Sequence, residues 1–190
     1  MRTIKKEIRA RTLNLETRQV DQSNKKEICG YAVVFNEPSE NLGGFIERIA
    51  PRAFDNVDMR NVLCLYNHDT ANILARSDSS NLNLSIDTKG LYFEATLPDT
   101  TLARDVYANI DVGNVKGCSF GFTVAEDSWN WSKDGSPDER TIERIDKLFE
   151  ITLTPIPAYQ DTNVAKRTIK NKKQRLQQTF DLLEFFKLEE

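Results

Sequence analysis

Short runs of alternating hydrophobic and polar residues recur along most of this 190-residue chain. Alternation with a period of two is typical of β-strands that bury one face. Turn-like stretches rich in Asn, Gly, Pro or charged residues separate the runs. The pattern predicts strands at residues 7–16, 27–35, 62–67, 82–87, 91–97, 115–126, 140–144 and 148–154, with a hairpin arm at 128–131.

Three segments have the sequence features of helices instead. Residues 99–112 carry Leu102 and Val106 at helical spacing, behind the capping residues Asp99 and Thr100, which predicts a helix that covers one side of the sheet. Pro51 is placed to start a short helix. Residues 166–190 repeat apolar side chains every three or four positions on a charged background, which predicts an amphipathic helix.

Many short strands with few helices predict the α+β class. We expect a mostly antiparallel β-barrel with surrounding helices over residues 1–165, and a separate C-terminal helical tail over 166–190. The tail holds seven Lys or Arg against four Asp or Glu. Its basic half is either a solvated face or a surface for nucleic acid or an acidic scaffold partner, and its apolar stripe suits a partner helix.

The composition narrows the classes of function. The chain is 39% hydrophobic and 29% charged, with a formal net charge of −3 and no apolar run near the roughly 18 residues that a membrane span needs. We therefore expect no membrane association and a cytoplasmic protein. Cys29, Cys64 and Cys118 have no paired spacing, so we expect reduced thiols, no metal and no cofactor.

Candidate chemistry centres on the one histidine of the chain, His68. The sequence Gly-Cys-Ser-Phe-Gly lies further along the chain, at 117–121. A candidate base, His68, is therefore followed by a candidate nucleophile, Ser119. The nucleophile elbow of α/β-hydrolases is excluded, because its histidine follows the serine. Gly117 and Gly121 would instead let a peptide backbone approach the serine, as a substrate cleft requires.

A third, acidic residue would orient the imidazole and stabilise its charged form. Glu150 is the candidate that geometry favours, because alternation over 149–153 turns it away from the apolar face. Asp69 adjoins His68 and would point away on an extended backbone, while Asp99 and Asp105 on the predicted helix remain open.

Cys118 is an alternative nucleophile next to Ser119. Neighbouring residues on a strand face opposite ways, so only one of the two can meet His68. We favour the serine.

Five segments in order give the chain a resemblance to a known family. They read GYAVVF at 30–35, ERIAPRAF at 47–54, NHD at 67–69, GCSFGF at 117–122 and EITLTPIPAY at 150–159. In this order they resemble the prohead maturation proteases of tailed bacteriophages, over residues 29–165. The sequence departs from the family pattern at Arg52, where glycine is usual, and at Thr152, where serine is usual.

The resemblance implies a fold similar to that of the herpesvirus assembly proteases, a β-barrel ringed by helices. It implies a serine endopeptidase with His68 and Ser119 as base and nucleophile, and Glu150 as the acid. The implied substrates are a scaffold segment of the major capsid protein, or a separate scaffold protein, and the chain itself, including its tail. The implied place of action is the assembling procapsid in the bacterial host cytoplasm.

Two points stay open at this stage. The resemblance allows a homo-oligomer without requiring one. The alternative function is a non-enzymatic capsid-assembly or scaffold-binding module that docks through the tail.

Overall fold

The computed structural model describes residues 5–12, 15–20 and 25–155. Within these residues the chain forms ten strands, one α-helix and a single turn of 3₁₀ helix at Ser77–Ser79. The strands are β1 (Glu7–Thr12), β2 (Leu15–Val20), β3 (Lys25–Val34), β4 (Phe45–Ile49), β5 (Leu63–Tyr66), β6 (Asp69–Arg76), β7 (Leu82–Ile86), β8 (Gly90–Thr96), β9 (Gly117–Asn130) and β10 (Asp138–Thr154). The helix, α1, spans Thr101–Asp111.

The described strands form two sheets. The first has the order β1-β9-β10-β5-β6, with β4 beside the first half of β10, and the second has the order β2-β3-β8-β7. Strands β4 and β5 both run parallel to β10, while the other pairs are antiparallel. Apolar side chains from both sheets and from α1 share one hydrophobic core.

The predicted β-barrel is not confirmed, since the described residues form two sheets that do not close into a barrel, although most of these residues are in strands and most strand pairs are antiparallel, as expected. The two sheets keep separate edges, and two parallel pairings make the first sheet mixed rather than antiparallel. Alternation in a sequence identifies the face on which a residue lies, but it does not identify which strands pair. The surrounding helices are represented in this part of the chain by α1 alone.

The predicted helix over 99–112 is confirmed as α1. Thr100 caps it, since its hydroxyl accepts a 3.2 Å hydrogen bond from the backbone N–H of Ala103. Val106 and Ile110 on the same face are buried in the core, as the helical spacing predicts.

The helix predicted at Pro51 is wrong. Three successive turns form instead, closed by hydrogen bonds from the N–H groups of Ala53, Asp55 and Val57 to the carbonyls three residues before them. Asn56 has a φ of 65°, a left-handed conformation that cannot continue a right-handed helix.

Strands β9 and β10 are each longer than predicted, and together they take the place of four shorter predicted elements. Strand β9 has 14 residues and includes the hairpin arm, and β10 has 17 residues and joins both predicted final strands. Register shifts interrupt their pairing between Ile142 and Glu150, and β-bulges of this kind hide a continuous strand from a period-two pattern. Strand β6 was not predicted, because most of its first half is exposed.

Strand β1 is fixed by a cluster of buried charges, defined here as the Arg140 cluster. Arg9 donates from Nε to Oε1 of Glu47 at 2.7 Å, and Arg140 donates to Oε2 of Glu47 at 2.9 Å and of Glu7 at 2.7 Å. Asp127 accepts a 2.9 Å hydrogen bond from Nε of Arg140. The cluster therefore ties β1 to β4, β9 and β10.

The predicted boundary near residue 165 and the amphipathic helix over 166–190 lie outside the described residues. Within the described ranges, no helix is both long and apolar enough to cross a membrane.

Candidate active site

His68 lies in the tight turn that joins β5 to β6. Asn67 and His68 have φ values of 55° and 59°, and the strands pair on either side of them through Tyr66 and Asp69. Two consecutive left-handed residues are typical of a type I′ hairpin turn. The backbone N–H of Asn67 donates a 2.9 Å hydrogen bond to the carbonyl of Leu153, which holds this turn against β10.

The turn brings His68 to Glu150. Nδ1 of the imidazole lies 2.7 Å from Oε1 of the carboxylate, across 82 positions of sequence. Glu150 is on β10, where it pairs with Gly121 of β9 on one side and Leu63 of β5 on the other. The carboxylate of a rigid central strand therefore fixes the orientation of the imidazole.

A second cation contacts the same carboxylate. Nζ of Lys6, which directly precedes β1, lies 2.8 Å from Oε2 of Glu150. Burial alone would raise the pKa of Glu150, but the hydrogen bonds from His68 and Lys6 outweigh burial and hold that pKa below its ordinary value. Glu150 is thus kept ionised.

Ser119 lies one strand away on the same face of the sheet. It pairs with Thr152 of β10, two residues beyond Glu150, and paired residues on adjacent strands share a face. The serine is fully buried, and its hydroxyl donates a 2.9 Å hydrogen bond to the carbonyl of Arg9 on β1. The hydroxyl is therefore held by β1, on the far side of β9 from His68.

Two buried polar atoms on this face have no hydrogen-bond partner within the part of the chain that the structure describes. They are Nε2 of His68 and Oγ1 of Thr152. Buried polar atoms are rarely left in this state except at functional sites or where water binds. Nε2 is also the nitrogen that the Glu150 contact leaves available.

Cys118 is poorly suited to be the nucleophile. It lies on the opposite face of β9 in the hydrophobic core, and burial raises the pKa of its thiol to about 12. The thiolate is the reactive form, so this side chain is unreactive near neutral pH.

Other acidic candidates have different partners. Asp69 accepts hydrogen bonds from Ala71 N–H at 2.8 Å and from Asn72 at 3.2 Å, within its own hairpin. Asp99 forms an ion pair with Arg104 on α1. Among the described residues, no group of three or more His, Cys, Asp and Glu side chains is placed to hold a metal ion.

The two glycines predicted to line a cleft are closely packed. A Cβ at Gly117 would lie 2.9 Å from the carbonyl oxygen of Thr154. A Cβ at Gly121 would lie 2.5 Å from Cε of Lys6 and 3.0 Å from Cγ of Glu150. Close approach of neighbouring groups accounts for both glycines, and their role in a substrate cleft stays a prediction.

Sequence reasoning missed Lys6 and Arg9. Both contacts depend on β1 pairing with β9, through Ala10 opposite Ser119 and Ile8 opposite Gly121. The alternation of the N-terminal segment predicts a strand, but nothing in it indicates which strand it joins.

Known proteins similar to this chain are proteases of phage capsid assembly. A family model described as caudovirus prohead serine protease matches residues 13–175. The prohead protease of Enterobacteria phage HK97 is 35% identical over an alignment of 141 residues, and the match covers 72% of this chain and 57% of that protein. The chain thus spans less than two thirds of this relative.

The fold also has a solved neighbour. A structure titled as the bacteriophage T4 capsid assembly protease matches with a TM-score of 0.57 at 12% identity, and covers 80% of this chain and 98% of its own. At this identity the likeness concerns the fold alone.

Proposed function

Since the chain belongs to the caudovirus prohead serine protease family, we propose that it is a serine endopeptidase of procapsid maturation. Ser119 is the nucleophile, His68 the general base and acid, and Glu150 the residue that orients the imidazole. The 2.7 Å contact between His68 Nδ1 and Glu150 Oε1 carries the proposal. It commits Nδ1–H to the carboxylate and leaves Nε2 to accept a proton.

Catalysis would begin with a change of partner at Ser119. Its hydroxyl turns from the Arg9 carbonyl to Nε2 of His68, which takes the proton as Oγ attacks the scissile carbonyl. Nε2 then gives that proton to the leaving amine, and an acyl-enzyme remains on Oγ. Water releases the acyl group by the same proton transfer, and Glu150 stabilises the imidazolium at each stage.

The family supports a proposal for the substrates and the setting. We propose that the protein cuts a scaffold segment of the major capsid protein, or a separate scaffold protein, inside the assembling procapsid of the bacterial host. The chain itself is a second substrate, and residues 166–190 are either removed or contact scaffold. Residues 1–165 form the protease domain, in which Gly117 and Gly121 adjoin the cleft.

Active-site labelling tests the chemistry without a known substrate. A fluorophosphonate probe should form an adduct that peptide mass spectrometry maps to Ser119. Labelling should disappear in Ser119→Ala and in His68→Asn. Asparagine is chosen to replace His68 because it tolerates the left-handed backbone conformation of that turn. Ser128→Ala, an exposed serine on the same strand, is the matched control and should label normally.

The competing function is a capsid-assembly or scaffold-binding module without catalysis. Full burial of Ser119 and its bond to the Arg9 carbonyl favour it, because both describe a satisfied structural hydroxyl. If the fluorophosphonate does not label the protein either with or without added scaffold protein, the binding module is favoured and the protease is rejected.

A further inference from the structure

Lys6 reaches Glu150 across an intervening strand. Lys6 precedes β1 and Glu150 is on β10, while Gly121 of β9 lies between the two. A methyl group at Gly121 would overlap Cε of Lys6 at 2.5 Å. The missing side chain of Gly121 is therefore what allows the cation and the carboxylate to meet.

The Glu150 carboxylate bridges two cationic groups. Oε1 faces His68 and Oε2 faces Lys6, at 2.7 and 2.8 Å. The Glu150 side chain is 5% exposed and that of Lys6 is 41% exposed. The lysine is thus partly solvated while it contacts a buried carboxylate. Its positive charge offsets part of the attraction between the Glu150 carboxylate and a protonated His68.

We propose that Lys6 is a positioning residue that acts on His68 through Glu150, and its catalytic meaning rests on the proposed function. It holds the carboxylate with Oε1 toward Nδ1, and it limits how strongly Glu150 favours the protonated imidazole. Only an unprotonated imidazole can act as a general base, so a weaker preference for the protonated form favours transfer of the serine proton to Nε2.

In the described part of the chain, the residues that pair with Glu150 on either side carry no charge. At the positions paired with Glu150, β9 supplies Gly121 and β5 supplies Leu63, neither of which is ionisable. Lys147 of β10 lies over the ring of Phe149 at 5.1 Å, and Lys6 lies over the same ring at 5.7 Å.

The carboxylate of Asp69, which follows His68 in the chain, accepts hydrogen bonds within its own hairpin. Among the described residues, Lys6 therefore provides a cation beside Glu150 that can be altered without changing the proposed triad.

The single histidine makes a direct test available. Histidine-selective NMR of full-length protein, in a Ser119→Ala background that prevents self-cleavage, reports the titration of His68 alone. Lys6→Met should move the titration midpoint to higher pH by roughly 0.5 to 1 unit, because the full charge of Glu150 then acts on the imidazolium. Lys6→Arg should restore the original midpoint, and Lys5→Met, an exposed neighbour, should leave it unchanged.

A midpoint in Lys6→Met equal to that in Lys5→Met, or lower, overturns the proposal. Lys6→Gln decides the same question if the methionine variant does not fold. In the chain that keeps Ser119, the rate of fluorophosphonate labelling is measured against pH. In Lys6→Met, the fall of this rate on the acid side of the profile should shift to higher pH by the same amount. Absence of labelling at Ser119 would reject the protease, while the NMR midpoint would still test the coupling of Lys6 to His68.

Discussion

The hydroxyl of Ser119 donates a 2.9 Å hydrogen bond to the carbonyl oxygen of Arg9, a residue 110 positions away in sequence. The acceptor belongs to β1, an edge strand that the Arg140 cluster anchors through the Arg9 and Glu7 side chains. In the proposed reaction this contact is the resting partner of the nucleophile. The N-terminal segment, β1 together with the preceding Lys6, therefore contributes to the site at two points, the serine and the Glu150 carboxylate.

Replacing the proposed acid separates geometry from charge. Glu150→Gln keeps the size of the side chain but cannot stabilise the imidazolium, so we expect the fluorophosphonate rate to fall by about 10³-fold or more. The control is Glu143→Gln, an exposed position on the same strand. A loss of less than about tenfold would assign the orienting role to another residue.

Cys118 should be dispensable for catalysis. Its thiol is buried with a pKa of about 12, so Cys118→Ala should keep the wild-type rate of probe labelling. A thiol alkylator should likewise leave the folded wild-type protein active. Inactivation by the alkylator, together with survival of Ser119→Ala, would indicate a cysteine protease instead.

Two glycine substitutions should fail in different ways. In Gly90→Ala the new Cβ would lie 1.9 Å from the backbone carbonyl of Val33, which should cost at least about 3 kcal/mol of unfolding free energy. In Gly121→Ala the Cβ meets the ends of the Lys6 and Glu150 side chains, which can move. We expect this variant to fold but to label slowly, as thermal unfolding and probe kinetics would measure. Normal labelling would show that the space above Gly121 is not needed.

Stability should decline in acid because of carboxylates with lowered pKa values. Burial would raise the pKa of Glu7, but hydrogen bonding to Arg140 and the charges of Arg140 and Arg9 lower it below 4.5. A lowered folded-state pKa contributes stability above the unfolded value, and this contribution is lost as pH falls through the folded value.

The unfolding free energy should therefore fall between roughly pH 5 and pH 2, as chemical denaturation measures at each pH. Glu7→Gln should be less stable than wild type at neutral pH and should lose less stability in acid. An equal loss in both proteins would mean that Glu7 does not contribute.

Much of the local structure was predictable from sequence, because alternation and capping act over a few residues. The alternation at 149–153 correctly placed Ile151 and Leu153 in the hydrophobic core and Glu150 and Thr152 on the other face. It was wrong for Phe149, which the register shift between Leu148 and Glu150 leaves outside the core. Thr100, one of the two predicted capping residues, caps the start of α1. These are properties of one segment at a time.

The arrangement of strands was not predictable in the same way. The contact of Lys6 with Glu150 depends on β1, β9 and β10 lying in that order, over 144 positions of sequence. The position of His68 beside β10 depends on a parallel pairing with β5 that leaves no local signal. Pairing depends on interactions between distant segments. The histidine, serine and glutamate could therefore be predicted from the sequence, but the contacts of Lys6 and Arg9 could not.

Processing of the proposed substrate tests the central proposal most directly. The full-length protein is co-expressed with the capsid precursor encoded in the same genome, as wild type, Ser119→Ala and Ser128→Ala, and products are identified by intact-mass spectrometry. The proposal predicts cleaved precursor with wild type and Ser128→Ala, and intact precursor with Ser119→Ala. The same cleavage products from Ser119→Ala would contradict it.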